Sequence, residues 1–120
     1  MKLRILGNSI RLRLSQSDLT ALIDGGAVED RVFFPGGSVL TYRLESTGGT
    51  AAEAGYANDR VLIRFPMTEI ERWARPDEVT MHAALMLGDD RLELIVEKDF
   101  RCLSPREGED DTDLFPNPDA

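Results

Sequence analysis

Lys2-Leu3-Arg4-Ile5-Leu6-Gly7-Asn8-Ser9-Ile10-Arg11-Leu12-Arg13-Leu14 is the stretch on which the fold turns. Residues 2–6 and 9–14 alternate between polar and apolar, and Gly7-Asn8 between them suits a two-residue turn. Together these features predict a β-hairpin. Setting Leu6 opposite Ser9 pairs Ile5 with Ile10, Arg4 with Arg11, Leu3 with Leu12 and Lys2 with Arg13. Every large aliphatic except Leu6 then lies on one face and every cation on the other. A slip of one residue would invert both faces, so the register is well specified.

Working outward, Ser17 is expected to cap a short helix over 18–24, with Leu19, Leu22 and Ile23 as its apolar face and Gly25-Gly26 as its stop. Residues 28–34 and 39–45 predict a second hairpin around Pro35-Gly36-Gly37, followed by a flexible connection over 46–50. From Ala51 the pattern begins again. Residues 51–57 and 60–65 flank Asn58-Asp59, Thr68 is expected to cap a helix over 69–75 before Pro76, and residues 79–87 and 91–97 flank Gly88-Asp89-Asp90. An offset of 51 matches Leu12 and Leu14 with Ile63 and Phe65, Ser17 with Thr68, and Leu19 and Leu22 with Ile70 and Trp73. The fold class expected is α+β, an antiparallel sheet or barrel-like arrangement within one domain, 1–103. It would hold two pseudo-symmetric strand-strand-helix-strand-strand halves, 1–46 and 51–103, each too small to bury its apolar face alone. A plain antiparallel meander of this length reads as repetitive too, and the pattern does not separate the two.

The 120 residues carry a net charge of −8 and one cysteine, Cys102. A single cysteine excludes an intrachain disulfide framework and fits a reducing compartment. No apolar run reaches the roughly 18 residues of a membrane helix, and the start lacks the apolar segment of a signal peptide. The expectation is a soluble, cytoplasmic protein. Residues 1–43 are net +2, whereas residues 44–98 and 99–120 are each net −5. Acidity of this degree disfavours nucleic acid as a partner. Residues 104–120 form an acidic C-terminal tail with too few apolar groups to offset ordering, so composition predicts mobility. Leu114-Phe115-Pro116 is a small apolar anchor within it.

Lys2, Arg4, Arg11 and Arg13 would oppose like charges across the first hairpin, which is unfavourable without counter-charge. Three sources offer one: acids on neighbouring strands (Glu93, Glu97 or Glu45), the acidic tail, or an external anion. Cys102, beside Arg101, could be a reactive thiol. It lacks a second cysteine and lies twenty residues from the sole histidine, His82, so a half-buried structural role is the plainer reading. His82 has no partner at metal-ligand spacing and reads as a surface or interface residue. The acids from Glu107 to Asp113 lack the spacing of a calcium loop. The glycine pairs lack the strand-to-helix context of a phosphate loop and read as turns. No catalytic residue, metal site or cofactor follows from the sequence.

Several segments are distinctive: Met1 to Ser15, Leu40 to Glu45, Glu97-Lys98-Asp99-Phe100-Arg101-Cys102-Leu103 and Phe115-Pro116-Asn117-Pro118. Together they resemble a bacterial family of short proteins of unknown function, across nearly the whole chain. The resemblance implies no activity. It does imply that 99–103 and the Phe115–Pro118 motif are family features, which favours a docked tail. The duplicated strand-helix-strand-strand unit also resembles the effector-binding domains related to gyrase inhibitors, which take small molecules between their two copies. The extra strand before each helix departs from that pattern. The function expected is a noncatalytic binding or regulatory module, engaging a protein partner, a small anionic ligand or its own tail through Lys2, Arg4, Arg11 and Arg13. The alternative is a small enzyme or redox sensor centred on Cys102. Free strand edges leave a homodimer open.

Overall fold

Each of the four expected hairpins forms, and a helix follows the first and the third. The computed structural model describes residues 1–101 and 111–118. Its elements run β1 (Lys2–Ile5), β2 (Ser9–Leu14), α1 (Gln16–Gly25), β3 (Ala27–Phe33), β4 (Val39–Thr47), β5 (Glu53–Ala57), β6 (Arg60–Pro66), α2 (Met67–Trp73), β7 (Thr80–Leu87) and β8 (Asp90–Lys98). The first hairpin adopts the register anticipated from its alternation, Lys2 opposite Arg13 through Ile5 opposite Ile10.

The hairpins join into two four-stranded sheets, ordered β1-β2-β8-β7 and β3-β4-β6-β5. The class is α+β, but two expectations need correction. The sheets are mixed and not wholly antiparallel, because β2 runs parallel to β8 and β4 runs parallel to β6. The described residues form no closed barrel. A two-residue turn makes its own strands antiparallel, whereas pairing between hairpins joins residues far apart in the chain and leaves no local signature.

Each sheet takes one hairpin from either half of the chain, so the halves interlock. Substituting β5, β6, α2, β7 and β8 for β1, β2, α1, β3 and β4 converts one sheet order into the other. Register obeys the same exchange: Leu12 pairs with Val96 and Leu44 with Ile63. Leu12, Leu14, Leu22, Val28 and Leu44 thereby become Ile63, Phe65, Trp73, Met81 and Val96, and all ten join one buried cluster. Two half-sized apolar faces are buried against each other, as the size of each half requires. Trp73 Nε1 donates to the Val79 carbonyl at 2.9 Å, which satisfies the one polar atom of the largest core side chain.

Helix α1 starts earlier than expected. Ser15, not Ser17, is its N-cap, and Ser15 and Asp18 form a reciprocal capping box. Gly26 ends it at φ 79°, donating to the Leu22 carbonyl, a backbone state natural to glycine. Helix α2 begins behind Pro66 without a side-chain cap, so Thr68 lies inside its first turn.

Composition predicted a mobile tail, yet residues 111–118 are held against the domain. Phe115 forms a parallel bridge with Phe100. Its N–H donates to Asp99 at 2.9 Å, and its carbonyl accepts from Arg101 at 2.8 Å. The Arg101 guanidinium donates to the carbonyls of Asp111 and Thr112 at 3.1 and 2.9 Å, and Asn117 Nδ2 returns a bond to the Arg101 carbonyl. Two segments distinctive in sequence, Glu97 to Leu103 in its described part and Phe115 to Pro118, are thus each other's partners.

Candidate functional site

Alternation along β1, β2, β8 and β7 turns Leu12, Leu14, Leu94, Val96 and Met81 inward and leaves three cross-strand rows on the outer face. One row holds Lys2, Arg13, Glu97 and Thr80, and the next Arg4, Arg11, Ile95 and His82. The third holds Ser9, Glu93 and Ala84. All four cations singled out from sequence therefore share one face.

Glu97 supplies counter-charge to two of these cations. It accepts from Arg13 Nε at 2.6 Å and lies 3.8 Å from Arg11. Lys2 pairs with Asp99 at 2.8 Å, an acid that sequence reasoning did not nominate. Of the other acids considered, Glu93 bonds His82 and Arg91, which hold its carboxyl below the usual carboxylate range, His82 first. Glu45 belongs to the opposite sheet, where it pairs with Arg43 and Arg64. In the tail, Asp113 accepts from the backbone N–H and hydroxyl of Ser17, and the Gln16 N–H donates to the Asp113 carbonyl at 2.8 Å. The hydroxyls of Ser17 and Ser15 hold the Asp113 carboxyl below the usual range.

Arg4 has no acidic partner among the described residues. With Arg11, Ser9 and Leu6 it lines a shallow cavity of about 120 Å³. The outer face of the other sheet is ordered differently. There Glu29 joins Arg31 and Arg43, Glu45 joins Arg43 and Arg64, and Glu53 joins Arg64, an alternating chain of pairs at 3.3–3.7 Å.

A second centre went unnoticed in the sequence. Lys98, only 5% exposed, donates through Nζ to the carbonyls of Arg75 and Glu78 at 2.6 and 2.7 Å, closing the chain beyond α2. Its ammonium lies 5.9 Å from the Trp73 ring and 5.6 Å from the Phe115 ring. Burial pushes its pKa down against the upward pull of Asp77 and Glu78. The one available signal was position: Lys98 falls where the strand alternation, Leu94 then Val96, calls for an inward apolar residue.

His82 is on the exposed face, hydrogen-bonded to Glu93. Cys102, the nominated thiol, lies outside the described residues. Among the described residues, no three His, Cys, Asp or Glu side chains gather as a metal site, and no helix is long and apolar enough to cross a membrane. No curated protein and no solved structure matches the chain, so the topological likeness to effector-binding domains carries no argument here. The model of a family of unknown function, DUF7009, matches residues 1–119, and the chain belongs to that family.

Proposed function

We propose that this protein is a noncatalytic binding module that takes an anionic group, a phosphate or carboxylate of a ligand or partner, between Arg4 and Arg11. One observation carries the reading: two arginines stand directly opposite each other across a strand pair and line one cavity, in a protein of net charge −8, and the fold does not require them. Their counterparts in the pseudo-symmetric hairpin are Gly55 and Leu62, which occupy the same register. The counterparts of Lys2 and Arg13 are Glu53 and Arg64, which form an ordinary ion pair. Like charges directly opposite destabilise a strand pair, and an anion seated between Arg4 and Arg11 would reverse that sign through charge-assisted hydrogen bonds. Ser9 already donates its hydroxyl to the Leu6 carbonyl at 2.6 Å, which leaves its oxygen as an acceptor, so the guanidiniums supply the recognition.

Amide-detected titration of the whole protein with inorganic phosphate and with pyrophosphate tests this. Saturable shifts are expected at Arg4, Ser9 and Arg11, weakening with salt. Arg4→Gln should abolish them, and Glu97→Gln, by releasing Arg11, should tighten binding. Shifts spread over the surface, or indifference to Arg4→Gln, would reject the site.

A further inference from the structure

We propose that the groove between Phe34 and Tyr56, at the far end of the second sheet, receives an arginine side chain from an extended segment of a partner protein. Ser38, Val39, Leu40 and Asp59 also line this groove, and its volume is about 260 Å³.

The pseudo-symmetry shows what is unusual there. In the first hairpin, the turn residue Asn8 ties itself to β8 twice: its carbonyl accepts from the Glu93 N–H at 3.1 Å, and its side-chain amide donates to the Arg91 carbonyl at 2.9 Å. The equivalent turn residue is Asp59. Its carbonyl repeats the first bond, accepting from Thr41 at 3.0 Å. The second bond is not repeated, because a carboxylate has no hydrogen to donate to the equivalent carbonyl, that of Val39. A carboxylate and a carbonyl are therefore left where the other half holds a donor and an acceptor. A cation carrying several N–H donors complements both, in charge and in hydrogen bonding.

The walls choose between cations. Phe34 and Tyr56 are 51% and 67% exposed, unusual for aromatic side chains, and a planar guanidinium stacks on such rings while its fork engages a carboxylate. Size argues for a side chain: the groove falls below the roughly 300–1,000 Å³ of small-molecule sites. A place for the backbone lies alongside. Tyr56 belongs to β5, an edge strand whose five residues are all exposed, and an unpaired edge accepts an added strand.

The test titrates the full-length protein with a short blocked peptide carrying one arginine between threonines, and with its citrulline analogue, which keeps the shape and loses the charge. The arginine peptide should bind saturably, with amide shifts confined to Phe34, Tyr56, Asp59 and β5. Citrulline, and separately Asp59→Asn, should each weaken binding about tenfold or more. Asparagine is at home at the φ of 58° found at this position, so the variant should fold, which a thermal melt checks. Equal affinity for citrulline, indifference to Asp59→Asn, or no saturable binding at millimolar peptide would overturn the proposal. Self-association abolished by Asp59→Asn would also overturn it, assigning the groove to a second copy of the chain.

Discussion

Replacing Lys98 by methionine keeps most of the stem and removes the ammonium, so it isolates what the buried charge does. Two charge-assisted hydrogen bonds to the Arg75 and Glu78 carbonyls would be lost, each worth about 1.5–3 kcal/mol. Two contacts with aromatic faces go with them, at about 0.5–1 kcal/mol each. Against this stands relief from holding an ammonium at 5% exposure, an effective cost of several kcal/mol. The downward pKa displacement, caused first by burial, says that this cost exceeds the pull of Asp77 and Glu78. The freed carbonyls lie next to exposed Arg75 and partly exposed Glu78, so water can reach them. The balance is a destabilisation of about 1–2 kcal/mol, or roughly 5–15 °C in a thermal melt. Lys98→Ala, which also empties the stem's volume, should cost about 3 kcal/mol.

The sign of the pH dependence tests the cause. With the folded pKa of Lys98 below the ordinary 10.5, the unfolded chain holds a proton in that window that the folded chain has released. This group's contribution to wild-type stability therefore rises with pH through the window and is flat above it. Methionine contributes no such slope, so the deficit of Lys98→Met must widen as the pH climbs toward 10.5. Urea titrations of both proteins at a series of pH values measure it. A variant as stable as wild type at neutral pH, or a deficit that narrows on raising the pH, would refute the reasoning.

The docked tail supports two shorter tests. Phe115→Ala removes the edge-on contact with Phe100, centroids 6.3 Å apart, and the cover over Lys98; it should cost about 1–2 kcal/mol in denaturant titration and speed amide exchange at Arg101. Asp113 has a depressed pKa in the fold, so its contribution is present above the ordinary aspartate value of 3.8 and is lost as the pH falls through the folded one. Exchange at the Gln16 and Ser17 amides should accelerate in that acid window in wild type, and Asp113→Asn should show no such step.

How much was legible in the sequence followed from how local each determinant is. The first hairpin's register was readable because alternation and a two-residue turn leave one solution. The repeat was readable because Leu12, Leu14 and Leu22 recur as Ile63, Phe65 and Trp73. Parallel pairing of β2 with β8 was not, since nothing near Leu12 names Val96 as its neighbour. Ser17 reads as a cap in sequence because it offers the same chemistry as Ser15 two residues earlier, and only the reciprocal bond with Asp18 separates the two. The four cations were correctly gathered on one face. The pairing of Lys2, Arg11 and Arg13 with Asp99 and Glu97 depended on β8 and the residue after it, contributed by the other half of the chain, and Arg4 was left without an acidic partner among the described residues. Lys98 was missed because a lone lysine at the end of a strand reads as solvated, and only packing shows that its stem replaces an apolar core residue.

The pseudo-symmetry separates what the scaffold needs from what has been added to it. Core positions exchange apolar for apolar, Val28 for Met81 and Leu44 for Val96, as shared burial demands. Outer positions are free of that demand, and there the halves part company. Arg4 and Arg11 stand where the other half has Gly55 and Leu62, and Asn8 stands where it has Asp59. The first difference places like charges together and the second removes a turn-stabilising bond. Both run against stability in the half that carries them, while the equivalent positions show that the same backbone accepts other residues there. A cost that the fold demonstrably does not impose is best accounted for by contact with something outside it. The signs of the two sites are opposite, an acceptor-seeking pair on one sheet and a donor-seeking pair on the other, so an anionic ligand and an arginine-bearing partner could be held at once by opposite sheets.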